Sequence, residues 1–388
     1  MFGPGRGTIP TMLYFDHAAS SPLRPEVWAA MEPFRLDVYG NPSGSHTISR
    51  RAKNALEDSR DLVASLINAD PKEIVFTGGG SEADNLAIKG RAFAGGRRGA
   101  IITSPTEHDA VLMSAAYCNS FGSMVTYAKV TADGLVDPAE VASHVTADTA
   151  VVSIMMGNNE TGVRLPVEEV VVGVKAAHPA AIVHTDAVQG YVSERVDVDV
   201  LGVDLLSLAA HKFGGPKGVG LLYVRSGTPL APLVHGGGQE LGRRSGTHNV
   251  MAVVGMAAAM AALEDERDAF RARVMGERDA FESTLSELIP DLVVTGAGAP
   301  RMVQTSHVRI PRVRNEMLLV RLDRAGLAAS AASACQSGAA TVSHVLEAMG
   351  MSPALARECL RFSFGWSTAE GEGARAARLV AGEAGALR

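Results

Sequence analysis

Lys212 stands in the stretch Leu208-Ala209-Ala210-His211-Lys212-Phe213-Gly214-Gly215-Pro216-Lys217-Gly218, between an apolar run and a glycine–proline turn. An amine at the edge of an apolar interior is partly desolvated, which favours its neutral, nucleophilic form and suits Schiff-base chemistry. A surface turn carrying two solvated lysines has the same composition, and for a lysine taken at random that is the commoner case. His211 and the turn residues favour the functional reading here. A second candidate is the thiol of Cys335, in Ala331-Ala332-Ser333-Ala334-Cys335-Gln336-Ser337-Gly338-Ala339-Ala340. Small residues on both sides predict an exposed, mobile loop, where a free thiol is a candidate nucleophile. Cys359, in the stretch Ala354–Phe362 read as helical, and Cys118, beside Tyr117, read as ordinary semi-buried cysteines.

Four further clusters carry polar chemistry. Asp186, in His184-Thr185-Asp186-Ala187-Val188-Gln189, leaves an apolar run, and a buried acid there needs a cationic partner. A protonated pyridine nitrogen would serve, although an acid capping the next helix would look the same. Thr77-Gly78-Gly79-Gly80-Ser81-Glu82-Ala83-Asp84-Asn85 leads from a strand into a helix, whose unpaired N–H groups and dipole suit a phosphate. A plain glycine turn with a serine N-cap fits equally well. Neither the dinucleotide spacing GxGxxG nor a following Walker lysine is present. Thr106-Glu107-His108 offers an imidazole that could stack on an aromatic ring, or a satisfied structural histidine. Arg243-Arg244-Ser245-Gly246-Thr247 could donate to phosphate, or form an exposed turn.

These clusters sit at the ends of elements that must hold them. Apolar runs at Ile74–Thr77, Ala100–Thr103, Val151–Met155, Ile182–Thr185, Leu205–Leu208 and Val219–Val224 read as buried strands. Amphipathic helical patterns such as Ser49–Ile67 and Val167–Ala177 lie between them. Alternation of this kind predicts an α/β layer with a largely parallel sheet and helices on both faces. Such sheets bind ligands at the carboxyl ends of their strands, where the candidate residues fall. Met251 to Leu288 reads as one or two long helices, after which shorter elements begin, so a domain boundary is expected there. A chain of 388 residues is too long for a single compact core. The formal charge of −6, with no basic block, gives no reason for direct nucleic-acid binding. The opening MFGPGRGTIPTML lacks the apolar core of a signal peptide, and no apolar stretch is long enough to span a bilayer. Three cysteines without a CxxC pair make a disulfide framework or cysteine zinc site improbable and fit the reduced cytoplasm. No metal site is expected.

Taken together the motifs resemble the cysteine desulfurases, in the class V aminotransferase group of fold-type I pyridoxal-phosphate enzymes. The likeness runs from Tyr14-Phe15-Asp16-His17-Ala18-Ala19 to Arg361-Phe362-Ser363-Phe364-Gly365, with Gly40-Asn41-Pro42-Ser43, Asn158-Asn159-Glu160-Thr161-Gly162 and Arg244-Ser245-Gly246-Thr247 in order between. The Cys335 segment followed by Ser343-His344-Val345-Leu346 looks like the branch with the longer cysteine loop. The resemblance implies a large domain, 16–262, with a mostly parallel seven-stranded sheet flanked by helices. A smaller α+β domain, 1–15 and 263–388, would carry the cysteine loop. It also implies that pyridoxal 5′-phosphate is held as a Schiff base on Lys212, with Asp186 at the pyridine nitrogen, Gln189 at the ring hydroxyl and His108 on the ring face. Gly80, Ser81, His211 and Thr247 would hold the phosphate, Thr247 reaching in from a second subunit of a homodimer. Asn159, Arg361 and Asn41 would bind the substrate. Sulfur would pass from L-cysteine to the Cys335 thiolate, giving L-alanine and a persulfide for a sulfur-acceptor protein.

The chain departs from the family pattern in places. Ala209 stands where a serine hydroxyl usually contacts phosphate, and Ser207, two residues back on the same strand face, is not expected to reach. Gln336 replaces the usual threonine and Val342 the usual proline, which bears on loop geometry and on the acceptor. A C–S lyase or selenocysteine lyase is the main rival on this scaffold, and the mobile cysteine argues against it. A non-catalytic subunit is disfavoured by the joint presence of Lys212, Asp186 and Cys335. The glycine spacing disfavours a nucleotide-dependent oxidoreductase.

Overall fold

The computed structural model describes residues 12–96, 98–331 and 342–388. Cys335 lies outside the described residues. Short apolar and β-branched runs form β1 (Leu13–Tyr14), β2 (Ile74–Thr77), β3 (Ala100–Thr103), β4 (Val125–Tyr127), β5 (Thr149–Ser153), β6 (Ile182–Asp186), β7 (Leu205–Ala209), β8 (Gly220–Val224), β9 (Val293–Val294), β10 (Thr305–Arg309), β11 (Leu327–Ala328) and β12 (Cys359–Ser363).

Seven of these make the main sheet, in the order β2-β8-β7-β6-β5-β3-β4. Neighbours from β4 through β7 run parallel, while β8 is antiparallel to both β7 and β2. Every residue of β5, β6, β7 and β8 is buried, because helices cover both faces. Hence these strands read in sequence as continuous apolar runs. β4 escaped that pattern because it is a three-residue edge strand, half-exposed throughout.

The long helix Val250–Leu288 is single and unbroken, about 58 Å from end to end, and runs straight through the boundary expected near residue 262. It packs on helices Pro25–Met31 and Thr47–Leu66 and on the C-terminal helix Glu372–Gly385. Beyond it lies a three-stranded antiparallel sheet, β12-β10-β9, and β1 from the chain start pairs in parallel with β11. The helical expectation for Ala354–Phe362 is corrected. A short helix ends at Ala356, and Cys359 opens β12, paired across from Arg309 of β10. Strand pairing prevails over helical spacing there. Burial pushes the Cys118 thiol up to about 11 and the Cys359 thiol up to about 12, so neither is a nucleophile at neutral pH.

Candidate active site

A cavity of about 690 Å³ opens at the carboxyl ends of the parallel strands. Most of its wall residues come from strands or from the segments that follow them. Gly80 follows β2, His108 follows β3, Asn159 follows β5, Asp186 ends β6, Lys212 follows β7, and Arg361 projects from β12.

One end is built for an anion. Helix Gly80–Ala92 starts at Gly79, whose φ of +147° only glycine takes easily, and no side chain caps its first turn. Ser81 is thus inside the helix and exposed, not its cap. A Cβ on Gly80 would stand 3.0 Å from Val188 Cγ2 and 3.4 Å from the Ala209 Cβ, so glycine keeps this wall open. His211 lines the same end with Nδ1 3.3 Å from the Ser20 hydroxyl. Burial, with Lys212 and Lys217 beside it, lowers its pKa to about 4, which leaves the ring neutral. Ser207 is committed elsewhere, its hydroxyl 3.0 Å from His184 Nε2, and so does not supply the group Ala209 lacks.

The floor holds buried acids. Asp186 Oδ1 accepts the Val188 N–H at 2.9 Å. Burial raises the pKa of Asp186, against the opposing pull of His108, that hydrogen bond and Lys212. Asp84, one helical turn after Gly80, is buried beside it with Oδ1 lacking a hydrogen-bond partner among the described residues. Burial first, then Asp186, drives its pKa well above the ordinary carboxyl range. Glu107 is pushed well up in the same way, although its Oε1 accepts the Met155 N–H at 2.6 Å. Crowded carboxyls short of water favour a cation arriving among them. The His108 ring borders this floor, fixed by Nδ1 accepting the Ala110 N–H at 3.0 Å.

The opposite end holds an amine and a guanidinium. Lys212 Nζ donates to Ala18 O at 2.6 Å and to Ala19 O at 3.0 Å. Gln189 Nε2 donates to the same Ala18 carbonyl at 2.9 Å. Arg361 Nη1 donates to Asn159 O at 2.7 Å and Nη2 to Asp16 Oδ1 at 2.7 Å. Asn159 Oδ1 is buried without a hydrogen-bond partner among the described residues.

Gly80, Ser81, His108, Asn159, Asp186, Gln189, His211, Lys212 and Arg361 therefore line one cavity. Two expected residues do not join them. Asn41 is exposed, its side chain accepting the Ser43 N–H, and Thr247 is exposed outside the cavity wall of its own chain. Its neighbour Arg244 is paired with Glu82 at 2.7 Å. Asp16 and Asp84 line the site without having been singled out. Asp84 had a signal, since it shares the helical spacing of Gly80, Ala83 and Ala87, the stripe facing the sheet. Among the described residues no cluster of His, Cys, Asp or Glu could hold a metal ion. A flat aromatic ring fits this donor set, with phosphate at the glycine helix, a cationic nitrogen at Asp186 and an aldehyde at Lys212.

The class-V aminotransferase family matches residues 13–372. The cysteine desulfurase IscS of Dictyoglomus turgidum is 42% identical over 358 residues, 92% of this chain and 90% of that protein. A solved NifS-like protein superposes with a TM-score of 0.88 at 35% identity, covering 96% of this chain and 98% of that one. The solved SspA in complex with cysteine does so with a TM-score of 0.75 at 33% identity, over 91% and 98% of the two chains. Family match, identity and cavity agree, and the chain belongs to the cysteine desulfurases of the class-V aminotransferase family.

Proposed function

We propose that this chain removes sulfur from L-cysteine, giving L-alanine and a persulfide on Cys335, with pyridoxal 5′-phosphate as cofactor. The observation that carries the proposal is Lys212 Nζ, 2.6 Å from Ala18 O in the cavity that Asp186, His108 and Arg361 also line. When bound, the cofactor supplies an aldehyde for amines and a ring that withdraws electrons from the substrate carbons. Asp186 would hold the ring nitrogen in its cationic form, and His108 would lie against the ring. Gln189 would bind the ring hydroxyl. Gly80, Ser81 and His211 would hold the phosphate, joined by Thr247 from a second subunit of a homodimer. Arg361 and Asn159 orient the substrate carboxylate, with Asn41 at the outer edge of the substrate path. Lys212 moves protons at the substrate carbons. The Cys335 thiolate attacks the substrate sulfur: the carbon–sulfur bond breaks, a sulfur–sulfur bond forms, and the carbon left behind takes a proton.

The outer sulfur of that persulfide then passes to an acceptor protein in the cytoplasm, leaving the Cys335 thiol. Among the described residues no helix is long and apolar enough to cross a membrane. The working division is a cofactor domain, 16–262, and a smaller domain, 1–15 and 263–388, bearing the cysteine segment. The purified protein is expected to be yellow and Lys212→Ala colourless. A wild type that gains no absorbance with added pyridoxal phosphate rejects the cofactor reading. Cys335→Ala should keep the colour and lose sulfur transfer, and undiminished sulfur release from L-cysteine would reject the persulfide step.

A further inference from the structure

The loop Asp16–Ser21 touches both working cations of the cavity. Ala18 and Ala19 offer their carbonyls to Lys212, and Asp16 offers its carboxylate to Arg361. Nothing in the proposed chemistry requires an acid at position 16. Yet the Arg361 side chain is only 5% exposed, and a cation so deeply placed needs an anion. Asp16 meets it at 2.7 Å, is itself one-quarter exposed, and lines the same cavity. The other guanidinium contact is neutral, the Asn159 carbonyl, and Arg361 Nε is buried with no hydrogen-bond partner among the described residues. Glu160 also feels Arg361, but burial raises its pKa and its Oε2 accepts the Ser343 hydroxyl at 2.5 Å. Asp16 is the acid in direct contact.

We propose that Asp16 is the resident anion of the substrate-carboxylate site and selects α-amino acids over simple carboxylates. This rests on the reading that Arg361 binds the substrate carboxylate. With Asp16 in place the guanidinium charge is already balanced. A bare carboxylate entering beside it leaves the site with net negative charge. An α-amino acid brings an ammonium along with its carboxylate and adds no net charge. Beside a guanidinium that is itself buried such a difference counts, because the effective dielectric there is below that of bulk water. Asp16 is thus a specificity-determining residue whose influence is set by charge.

The test compares L-alanine with propanoate, which share a carbon skeleton and differ by the amino group. Their dissociation constants for the cofactor-loaded enzyme are read from the bound cofactor's absorbance. Asp16→Asn should tighten propanoate relative to L-alanine by at least about tenfold, and Asp16→Glu should return the ratio toward wild type. A merely structural role would weaken both ligands equally, and an unchanged ratio in Asp16→Asn overturns the proposal. Should Asp16→Asn not fold, Asp16→Ser provides the same comparison. Arg361→Ala separates the two levels. If neither ligand weakens in it, the carboxylate reading of Arg361 fails. If both weaken while the Asp16→Asn ratio holds, only the role of Asp16 fails.

Discussion

The two ends of the cavity balance their charges in opposite ways. At the ring end Asp84, Asp186 and Glu107 are crowded and buried, and each is pushed toward its neutral form. At the carboxylate end Arg361 is already paired with Asp16 and capped by the Asn159 carbonyl. The first end gains by receiving a cation. The second can accept an anion only by sharing or displacing one. A cofactor that stays and a substrate that must leave impose these different demands, since a site with a pre-paired cation holds its ligand less tightly than one with a bare charge.

The contrast can be tested from its strongest element downward. Asp186→Asn removes the ring end's principal anion, and the cofactor dissociation constant is expected to rise by about 10² to 10³, read by titrating the apoprotein with pyridoxal phosphate. A change of less than about threefold would mean that this end does not depend on charge. Arg361→Ala should raise KM for L-cysteine by about 100-fold with a smaller change in kcat, since it removes binding and leaves the ring end intact.

The buried acids also predict how stability follows pH. Asp84 and Glu107 have folded-state pKa values raised above their unfolded ones, so the folded apoprotein binds more protons. Their favourable contribution is fully present below the unfolded carboxyl range, near 4, and is lost as pH rises through the raised folded values. Each acid adds at most about 1.4 kcal/mol of loss per pH unit in that window. Thermal melts of the apoprotein should show Tm falling on the alkaline side, and Asp84→Asn with Glu107→Gln should flatten the curve. A Tm that rises with pH through this window contradicts the assignment. The smallest expected effect is Ala209→Ser, which restores a phosphate-facing hydroxyl and should tighten the cofactor by about tenfold or more, a hydrogen bond to a charged group contributing about 1.5–3 kcal/mol. Equal dissociation constants would show that the phosphate grip needs no hydroxyl there.

Much of the ring and phosphate end was legible because its residues follow buried parallel strands, and such strands announce themselves as apolar runs. Asp186 closes such a run, and Gly80 and Lys212 sit three to four residues beyond one. The carboxylate end was harder to read. Arg361 lies on β12, which was taken for helix, and its partner Asp16 comes from the other end of the chain, where β1 is only two residues long. Glu107 sits in an ordinary-looking local pattern, and the helical spacing of Asp84 marks only the face it occupies. Their perturbation arises from neighbours on other elements, which one-dimensional spacing does not record. Asn41 and Thr247 show the opposite limit, since their motifs match the family while their positions lie outside this chain's own cavity wall.

The Asp16–Arg361 pair spans 345 positions of sequence, and the Ala18 N–H donates to Ser363 Oγ across the same separation. During synthesis the residues that would grip the phosphate and ring, Gly80 to Lys212, leave the ribosome about 150 residues before Arg361. The amino-acid grip is therefore the last part of the site to be completed. A nascent chain stalled short of β12 would own the lysine, the acids and Asn159 but lack the guanidinium that orients a substrate carboxylate, so full substrate orientation awaits β12.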